Sequence, residues 1–240
     1  MAIDLKNSCE ACGRLSPKAV NKLQPKESLL KNSRDLRNLT LVPLNCSFGV
    51  LSEYSNEKIP MGKMLRKERK KKRSNVTIVF AVRRPGCPAC REHALQLSEF
   101  AANDGGIALV ATVKETGADN QDIIDFYQKY FHHSIYKDPT WGIYKAMGSR
   151  KISGLGLVKG LVTSIRRYKQ KNIDYTVGKS DGWIQGGLLI FDRNGDLRFA
   201  YEENFGEELD LELLANAVAE ARKDVSGSSS SFKEDESGSL

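Results

Sequence analysis

Two cysteines separated by two residues are the part of this sequence with the clearest capacity for chemistry. Cys87 and Cys90 lie in the segment Arg83-Arg84-Pro85-Gly86-Cys87-Pro88-Ala89-Cys90-Arg91, between an apolar run typical of a buried strand and a stretch with helical periodicity. Two intervening residues on the first turn of a helix bring the two sulfur atoms within bonding reach. In this context a Cys-x-x-Cys motif is a thiol–disulfide redox signature. The segment therefore predicts a redox-active dithiol.

The neighbours of Cys87 favour its ionised form. At the N-terminus of a helix, unpaired backbone N–H groups and the helix dipole stabilise an anion. Pro88 suits the first helical position, where its missing N–H costs nothing. Arg83, Arg84 and Arg91 add positive charge nearby. We expect these effects to lower a cysteine pKa from about 8.5 into the range of about 3.5–7.5 seen for activated cysteines.

Two other interpretations of the motif stay open, namely half of a zinc site and a chemically inert pair. Zinc normally needs four ligands, usually from two such pairs. The second pair, Cys9 and Cys12, lies in a polar segment that we predict to be mobile. We therefore favour redox chemistry and expect neither a metal nor a cofactor. Cys46 is predicted to be a core residue, and His93 to occupy an exposed position on the helix.

Strand and helix signals alternate along most of the chain, which predicts the α/β class. The predicted strands cover residues 39–46, 76–82, 107–113, 134–137, 188–191 and 196–201, with Pro43 favouring an outer position for the first. The predicted helices cover residues 61–68, 88–103, 119–131, 139–147, 153–171 and 210–222. Parallel strands with crossover helices, followed by an antiparallel hairpin, indicate a thioredoxin-like α/β/α sandwich with an N-terminal extension and a helical insertion.

Length and composition indicate a single domain with appendages. The chain has 240 residues and a formal net charge of +7. We predict a mobile N-terminal arm over 1–36, a thioredoxin-like domain over 37–224 with an insertion at about 149–184, and a disordered tail over 225–240. No stretch approaches the roughly 18 apolar residues of a membrane helix, so we expect no membrane partner. Five cysteines and no apolar leader favour a reducing, cytoplasmic location.

The positive charge is concentrated near the N-terminus. Residues 1–75 carry a balance of +10 and the remaining residues a balance of −3, and much of the excess lies in the run Arg66–Arg73. This run follows a predicted helix, whose C-terminal end favours cations. We interpret it as a solvated helix end and connecting loop, in preference to a targeting signal or a patch for anionic surfaces. The near-neutral remainder argues against a nucleic-acid partner.

Several ordered blocks make the chain resemble the peroxiredoxin-like 2 family, also described as AhpC/TSA antioxidant-enzyme-like, a branch of the thioredoxin superfamily. The resemblance covers about Ile59 to Leu214. Its blocks are Ile59-Pro60, Val82–Arg91, Ile135-Tyr136-Lys137-Asp138-Pro139, Ile143-Tyr144-Lys145, Gln185-Gly186-Gly187-Leu188-Leu189-Ile190 and Leu197-Arg198-Phe199. The third, AhpC/TSA-domain-containing subgroup is the most similar, because it carries a comparable insertion.

The resemblance implies a thioredoxin-like fold and a thiol-dependent antioxidant or reductase activity. It implies an external thiol reductant, such as the thioredoxin or glutathione system, and a small peroxide, endoperoxide or disulfide as substrate. One branch of the family reduces prostaglandin endoperoxides. Pro85 and Pro88 belong to the matching Arg83–Arg91 block and are expected to support the site.

The sequence also departs from the family's better-known cousins. Thioredoxin has a buried Asp in the strand before its motif, whereas Val76–Val82 has none. Gly186 and Gly187 occupy the region of the thioredoxin cis-proline and of a peroxide-binding arginine of peroxiredoxins, so we do not expect efficient peroxide reduction. Glycine permits close approach of another chain or ligand, which makes both glycines candidates to face the substrate.

The function predicted from these residues is thiol–disulfide oxidoreduction or antioxidant reduction. Cys87 attacks the substrate and Cys90 resolves the intermediate, because the first cysteine of such a turn is normally the exposed one. The peroxiredoxin alignment would instead place Cys90 in the attacking position. The alternative from another class is a redox-sensing or inert scaffold on which the basic run docks acidic partners.

Overall fold

The computed structural model describes residues 33–46, 51–53, 57–114, 120–176 and 182–223. The strands in these ranges are β1 (Thr40–Asn45), β2 (Ser52–Glu53), β3 (Ile59–Pro60), β4 (Val76–Val82), β5 (Ile107–Lys114), β6 (Ser134–Asp138), β7 (Gly187–Phe191) and β8 (Leu197–Glu202). The helices are α1 (Ser33–Asn38), α2 (Met61–Lys72), α3 (Pro88–Asp104), α4 (Asn120–Lys129), α5 (Gly142–Ala146), α6 (Gly154–Gln170) and α7 (Leu211–Lys223).

The strands form one mixed sheet in the order β2-β1-β6-β5-β4-β7-β8, with β3 paired to β1. β4, β5 and β6 are parallel to one another, whereas β1 and the β7–β8 hairpin run antiparallel to their neighbours. Every residue of β4 and β5 is buried, as expected for central strands with helices on both faces. The predicted thioredoxin-like α/β/α sandwich is confirmed.

Two hydrophobic clusters lie on opposite faces of the sheet. Alternate residues of β4 separate between them, with Ile78 and Phe80 on one face and Val79 and Ala81 on the other. The first cluster includes residues of α3, α4 and α7, and the second includes residues of α1, α2 and α5. The active-site candidates in α3 and the basic run in α2 are therefore on opposite sides of the sheet.

The basic run is more ordered than the sequence suggested. Helix α2 continues through it to Lys72 and ends at Arg73, whose φ of 51° is left-handed. Within the run the Glu68 carboxylate is buried and accepts hydrogen bonds from the hydroxyls of Ser134 (3.0 Å) and Tyr136 (2.6 Å). These bonds fix one face of the run on the domain.

Two other expectations need correction. β1 is not an outermost strand, because β2 adds to its free side. The helix expected over 139–147 is reduced to Gly142–Ala146, since the Asp138 carboxylate accepts the backbone N–H groups of Gly142 (3.1 Å) and Ile143 (2.9 Å) and holds a turn before it.

The predicted appendages lie mostly outside the described residues. Residues 1–32 of the expected arm and all of 225–240 belong to the part that is not described. Residues 33–36 form part of α1, and Leu36 is buried in the second cluster. The expected insertion contains α6. Within the described ranges, no helix is both long and apolar enough to cross a membrane.

The turn of the β7–β8 hairpin is held by one buried carboxylate. Asp192 accepts the backbone N–H groups of Asn194 (2.8 Å) and Asp196 (2.9 Å) and pairs with Arg198 at 2.7 Å. We predict that Asp192→Ala lowers the free energy of unfolding by about 2–3 kcal/mol, because two N–H groups lose their partner. Urea denaturation measures this. The exposed neighbour Arg193→Ala should change it by less than about 0.5 kcal/mol, and an equal effect of the two variants would contradict the assignment.

Candidate active site

The two cysteines lie where β4 ends and α3 begins. Cys87 is the N-cap residue, with φ −78° and ψ 129°, and Pro88 starts the helix. Cys87 and Cys90 are both free thiols, and the two residues are separated by 4.0 Å. Cys87 is only 5% exposed and Cys90 is fully buried. The expectation that Cys87 is exposed is therefore wrong, although Cys87 is the more accessible residue of the pair.

The two thiols differ sharply in acidity. Burial by itself raises the pKa of Cys87, but the hydrogen bond from the Cys90 thiol and the charge of Arg83 outweigh burial and lower the pKa to about 6. Burial raises the pKa of Cys90 well above its ordinary value, and its hydrogen bond to the Cys87 sulfur adds to this effect. The arrangement therefore favours a thiolate on Cys87 beside a protonated Cys90, which is the pairing needed if Cys87 attacks first.

Arg83 is the cation that contacts the thiol. Its guanidinium donates a hydrogen bond to the Cys87 sulfur and another to the Gly182 carbonyl at 2.8 Å. It also lies over the Phe205 ring, 4.6 Å from the ring centroid. Because three partners hold the guanidinium, the positive charge is fixed beside the sulfur.

Arg91 binds two backbone carbonyl groups from different segments of the site. Its guanidinium donates to the Pro85 carbonyl at 3.0 Å and to the Asp174 carbonyl at 2.8 Å. It thereby ties the turn before Cys87 to the end of the insertion. Arg84 is half-buried. Arg83 thus makes a direct contact with the sulfur, and the expectation that Arg84 and Arg91 also favour the thiolate stays a prediction.

Gly86 allows the insertion to close over the cysteine turn. A Cβ atom at this position would lie 2.2 Å from the Thr176 hydroxyl and 2.5 Å from the Asp122 carboxylate. The Thr176 backbone N–H donates to the Gly86 carbonyl at 3.1 Å, and its hydroxyl donates to Asp122. Any side chain at residue 86 would have to displace these groups.

A buried carboxylate on α3 anchors helix α6 of the insertion. Glu92 accepts two hydrogen bonds from Arg167, at 2.6 and 2.8 Å, and one from Lys171 at 2.8 Å. Burial alone would raise the pKa of Glu92, but these two cations lower it. This residue has no distinctive sequence signal, and sequence reasoning did not identify it.

Cys87 borders a cavity of about 940 Å³ between the cysteine turn and the insertion. Its apolar lining comes from α6, the segment after it and the end of the hairpin. Its charged lining includes cations beside the cysteine and two aspartates. The lining residues are Arg83, Arg84, Cys87, Pro88, Arg91, Asp125, Leu161, Ile165, Tyr168, Lys169, Ile173, Asp174, Tyr175, Thr176 and Phe205. The cavity is large enough for a drug-sized organic molecule.

The two glycines expected to face the substrate are packed against the chain itself. A Cβ atom at Gly186 would lie 2.0 Å from the Ala81 carbonyl oxygen, and one at Gly187 would lie 2.3 Å from the Tyr201 carbonyl oxygen. Both residues are buried, and neither lines the cavity beside Cys87. The close approach that required glycine is therefore made by neighbouring strands.

Gly186 also leaves room for a carboxylate that sequence reasoning missed. Glu203, directly after β8, is only 1% exposed. Its Oε2 atom would lie 3.1 Å from a Cβ atom at Gly186. The negative charge of Glu203 raises the pKa of both Cys87 and Cys90, so it belongs to the surroundings of the dithiol.

The remaining candidates lie apart from this chemistry. His93 is buried, with its Nε2 atom 2.8 Å from the Glu207 carbonyl oxygen, and the expectation of an exposed histidine is wrong. Cys46 is buried as predicted, and burial raises its pKa to about 11. Cys9 and Cys12 lie outside the described residues. In the described part of the chain, no three His, Cys, Asp or Glu residues are grouped to hold a metal ion.

Comparison with known proteins identifies the family. A family model described as AhpC/TSA antioxidant enzyme matches residues 94–204, a region that begins after the cysteine pair. Peroxiredoxin-like 2A of Xenopus tropicalis is 31% identical over 154 residues, covering 62% of this chain and 66% of the relative. The corresponding protein of Bos taurus is 30% identical over 159 residues, covering 64% of this chain and 71% of the relative. The chain belongs to the peroxiredoxin-like 2 family.

The matches are partial in length. The chain spans slightly less than two thirds of the Xenopus tropicalis relative. A protein of Aquarana catesbeiana named prostamide/prostaglandin F synthase is 27% identical over 154 residues, 61% of this chain and 75% of that protein. The solved structure of a secreted Mycobacterium tuberculosis disulfide oxidoreductase has a TM-score of 0.44 and 14% identity, covering 82% of this chain and 99% of that one. The third-subgroup assignment within the peroxiredoxin-like 2 family stays a prediction.

The acidity of Cys87 can be measured through its rate of alkylation. We predict that the iodoacetamide reaction rises with pH around a midpoint of about 6, because only the thiolate reacts. Arg83→Met should move this midpoint upward by about 1–3 pH units, since it removes an adjacent opposite charge. Arg84→Met is the matched control and should move it less. An unchanged midpoint in Arg83→Met would refute the role of this contact.

The anchoring of α6 generates a second prediction. Glu92→Gln should speed alkylation of Cys87 several-fold at pH 8, where the thiolate is already formed, because the insertion loosens over the cavity. It should also increase amide hydrogen exchange in residues 154–170. Glu208→Gln removes an exposed partner of the same two cations and should have a smaller effect. Equal rates of Cys87 alkylation in the two variants would show that Glu92 does not hold α6 over the cavity.

Proposed function

We propose that this protein is a thiol–disulfide oxidoreductase or antioxidant reductase that works through the Cys87–Cys90 dithiol. The observation that carries the proposal is the Arg83 guanidinium bonded to the Cys87 sulfur at the start of α3, with the Cys90 thiol beside it. A low-pKa nucleophile next to a protonated partner is what a two-step thiol reaction requires. Membership in the peroxiredoxin-like 2 family supports the same class of chemistry.

In the first step, the Cys87 thiolate attacks one atom of the O–O or S–S bond of the substrate. The bond breaks, and the leaving oxygen or sulfur departs with the electron pair and takes up a proton. Cys87 is left as a sulfenic acid after attack on a hydroperoxide, as a sulfenate ester of the opened substrate after attack on an endoperoxide, or as a mixed disulfide after attack on a disulfide. In the second step, Cys90 loses its proton and attacks the Cys87 sulfur. This attack releases water from the sulfenic acid, the second alcohol from the sulfenate ester, or the second thiol from the mixed disulfide.

The product of the second step is a Cys87–Cys90 disulfide, so the two thiols have supplied two electrons to the substrate. An external dithiol or two molecules of a monothiol must return these electrons before the next cycle. The thioredoxin and glutathione systems are the proposed reductants, because they are the thiol pools implied by the family. Arg83 and Cys87 border the same cavity, through which the substrate would reach the sulfur.

The shape of the cavity favours an organic substrate. Leu161, Ile165, Tyr168 and Phe205 supply apolar surface, and Arg83 supplies positive charge near the reacting sulfur. An organic peroxide, an endoperoxide or a small disulfide would bury more apolar area there than hydrogen peroxide. The name of the Aquarana catesbeiana relative, a prostaglandin F synthase, is consistent with the endoperoxide alternative.

No specific observation favours the scaffold alternative. The basic run of α2 lies on the face of the sheet opposite α3, so docking at that run would not explain the ionised cysteine.

The proposal is tested by turnover of the full chain with hydrogen peroxide, an organic hydroperoxide and a small disulfide, each with thioredoxin or glutathione as reductant. Cys87→Ser should abolish turnover. Cys90→Ser should stop after one substrate and leave an adduct on Cys87 that mass spectrometry detects. Cys46→Ser is the control and should turn over as the wild type does. Normal turnover of Cys87→Ser, or no reversible loss of two hydrogen atoms from the oxidised wild type, would refute the proposal.

A further inference from the structure

Glu203 is a buried carboxylate that the proposed two-step scheme leaves without a role. It is 1% exposed, and neither of its carboxylate oxygens has a hydrogen-bond partner among the described residues. Moving a polar group out of water without a compensating hydrogen bond is unfavourable, and the effect is larger for a charge. Packing alone therefore does not explain a carboxylate at this position.

The sheet brings Glu203 to the edge where the dithiol lies. Its backbone N–H donates to the Gly186 carbonyl at 3.4 Å. This bond lies next to the pair that Gly187 of β7 and Glu202 of β8 form in the sheet. Gly187 in turn pairs with Ala81, near the end of β4. A Cβ atom at Gly186 would lie 3.1 Å from both Glu203 Oε2 and the Arg83 backbone nitrogen. The carboxylate thus lies near the first residue of the turn that carries Cys87.

Cys90 needs a proton acceptor that the bulk solvent does not provide. Its side chain is fully buried, and burial raises its pKa well above the ordinary value. While Cys87 is a thiolate, Cys90 stays protonated as its hydrogen-bond donor. Once Cys87 is linked to substrate, that acceptor is gone, and Cys90 must lose its proton before it attacks.

We propose that Glu203 accepts the proton of Cys90, directly or through one water molecule, when Cys90 attacks the Cys87–substrate intermediate. This inference rests on the proposed function, because it assigns a role in the second of its two steps. A buried carboxylate with free lone pairs is suited to this task. The absence of a side chain at Gly186 gives the carboxylate access to the turn.

When the intermediate is a mixed disulfide, the Cys90 S–H bond breaks and its proton passes to a Glu203 oxygen. The sulfur electron pair then forms the Cys90–Cys87 bond. The bond between Cys87 and the substrate sulfur breaks, and the substrate leaves as a thiolate. Two cysteine thiols are then oxidised and one disulfide substrate is reduced. The Glu203 proton returns to solvent or to a cysteine when the external thiol reduces the protein disulfide.

The charged and titratable groups that interact with Glu203 come from several elements. Arg83 after β4, Cys87 and Cys90 at the start of α3, Tyr144 of α5 and Tyr201 of β8 all experience its charge. The Tyr144 hydroxyl already donates to the carbonyls of Val82 (2.8 Å) and Thr112 (3.0 Å). Its raised pKa, caused mainly by burial, keeps it protonated.

The test uses the full chain and dithiobis(nitrobenzoate), an aromatic disulfide that releases one coloured thiolate in each step. With Cys9, Cys12 and Cys46 changed to Ser in every protein compared, including the wild-type reference, the first release reports attack by Cys87 and the second reports attack by Cys90. In Glu203→Gln we expect the second release to slow by about 10²-fold at pH 7, within the usual range for a lost general base. The deficit should shrink as pH rises, because hydroxide replaces the carboxylate. The first release should not slow, since removing a negative charge near Cys87 favours its thiolate.

Two further variants separate proton transfer from a structural effect. Glu203→Asp keeps the carboxylate and should recover part of the rate of the second release. Glu202→Gln makes the same charge change one residue earlier, where the side chain pairs with Arg150 at 3.3 Å, and should leave both releases unchanged. A normal second release in Glu203→Gln, or a pH-independent deficit that Glu203→Asp does not relieve, would overturn the inference. A wild type that releases only one equivalent would instead refute the proposed function.

Discussion

The pairing of the Cys87 sulfur with the Cys90 thiol and with the Arg83 guanidinium is the interaction on which the site depends. Cys87 is buried, and burial without a partner would keep its thiol protonated and unreactive. The bonds that hold Arg83 come from distant parts of the chain, namely Gly182 before β7 and Phe205 after β8. The acidity of one cysteine on α3 therefore requires the insertion and the hairpin to be correctly packed.

Closure of the insertion over the cysteine turn excludes water, which has two opposite effects on the Cys87 thiolate. Excluding water disfavours the thiolate, but it also strengthens the attraction of a fixed cation. The insertion offsets its own desolvating effect by contributing the Gly182 carbonyl that holds Arg83 in place. Arg91 and Glu92, both on α3, tie the same segment down through Asp174 and Arg167. A substrate in the cavity would meet a sulfur whose surroundings are already organised.

The sequence was most informative where local patterns and burial coincide. The β-branched run Val76–Val82 predicted β4 at its observed bounds, because a strand buried on both faces is apolar throughout. Pro88 marked the start of α3 for the same local reason, as its first helical residue. The spacing of Cys87 and Cys90 and the position of the pair at the start of a helix were also predicted from the sequence. These features depend on neighbours in the chain.

The roles of the charged residues could not be predicted from the sequence, because these roles depend on contacts between distant segments of the chain. Arg83 and Arg91 are equivalent by composition, yet only the former contacts the sulfur, while the latter binds carbonyl groups. Glu202 and Glu203 are adjacent and identical, yet one pairs with Arg150 and the other is buried beside the cysteine turn. β4 contains no carboxylate, and the buried carboxylate of Glu203 near the dithiol comes from the segment directly after β8. Gly186, which sequence reasoning assigned to the substrate, is what makes room for it.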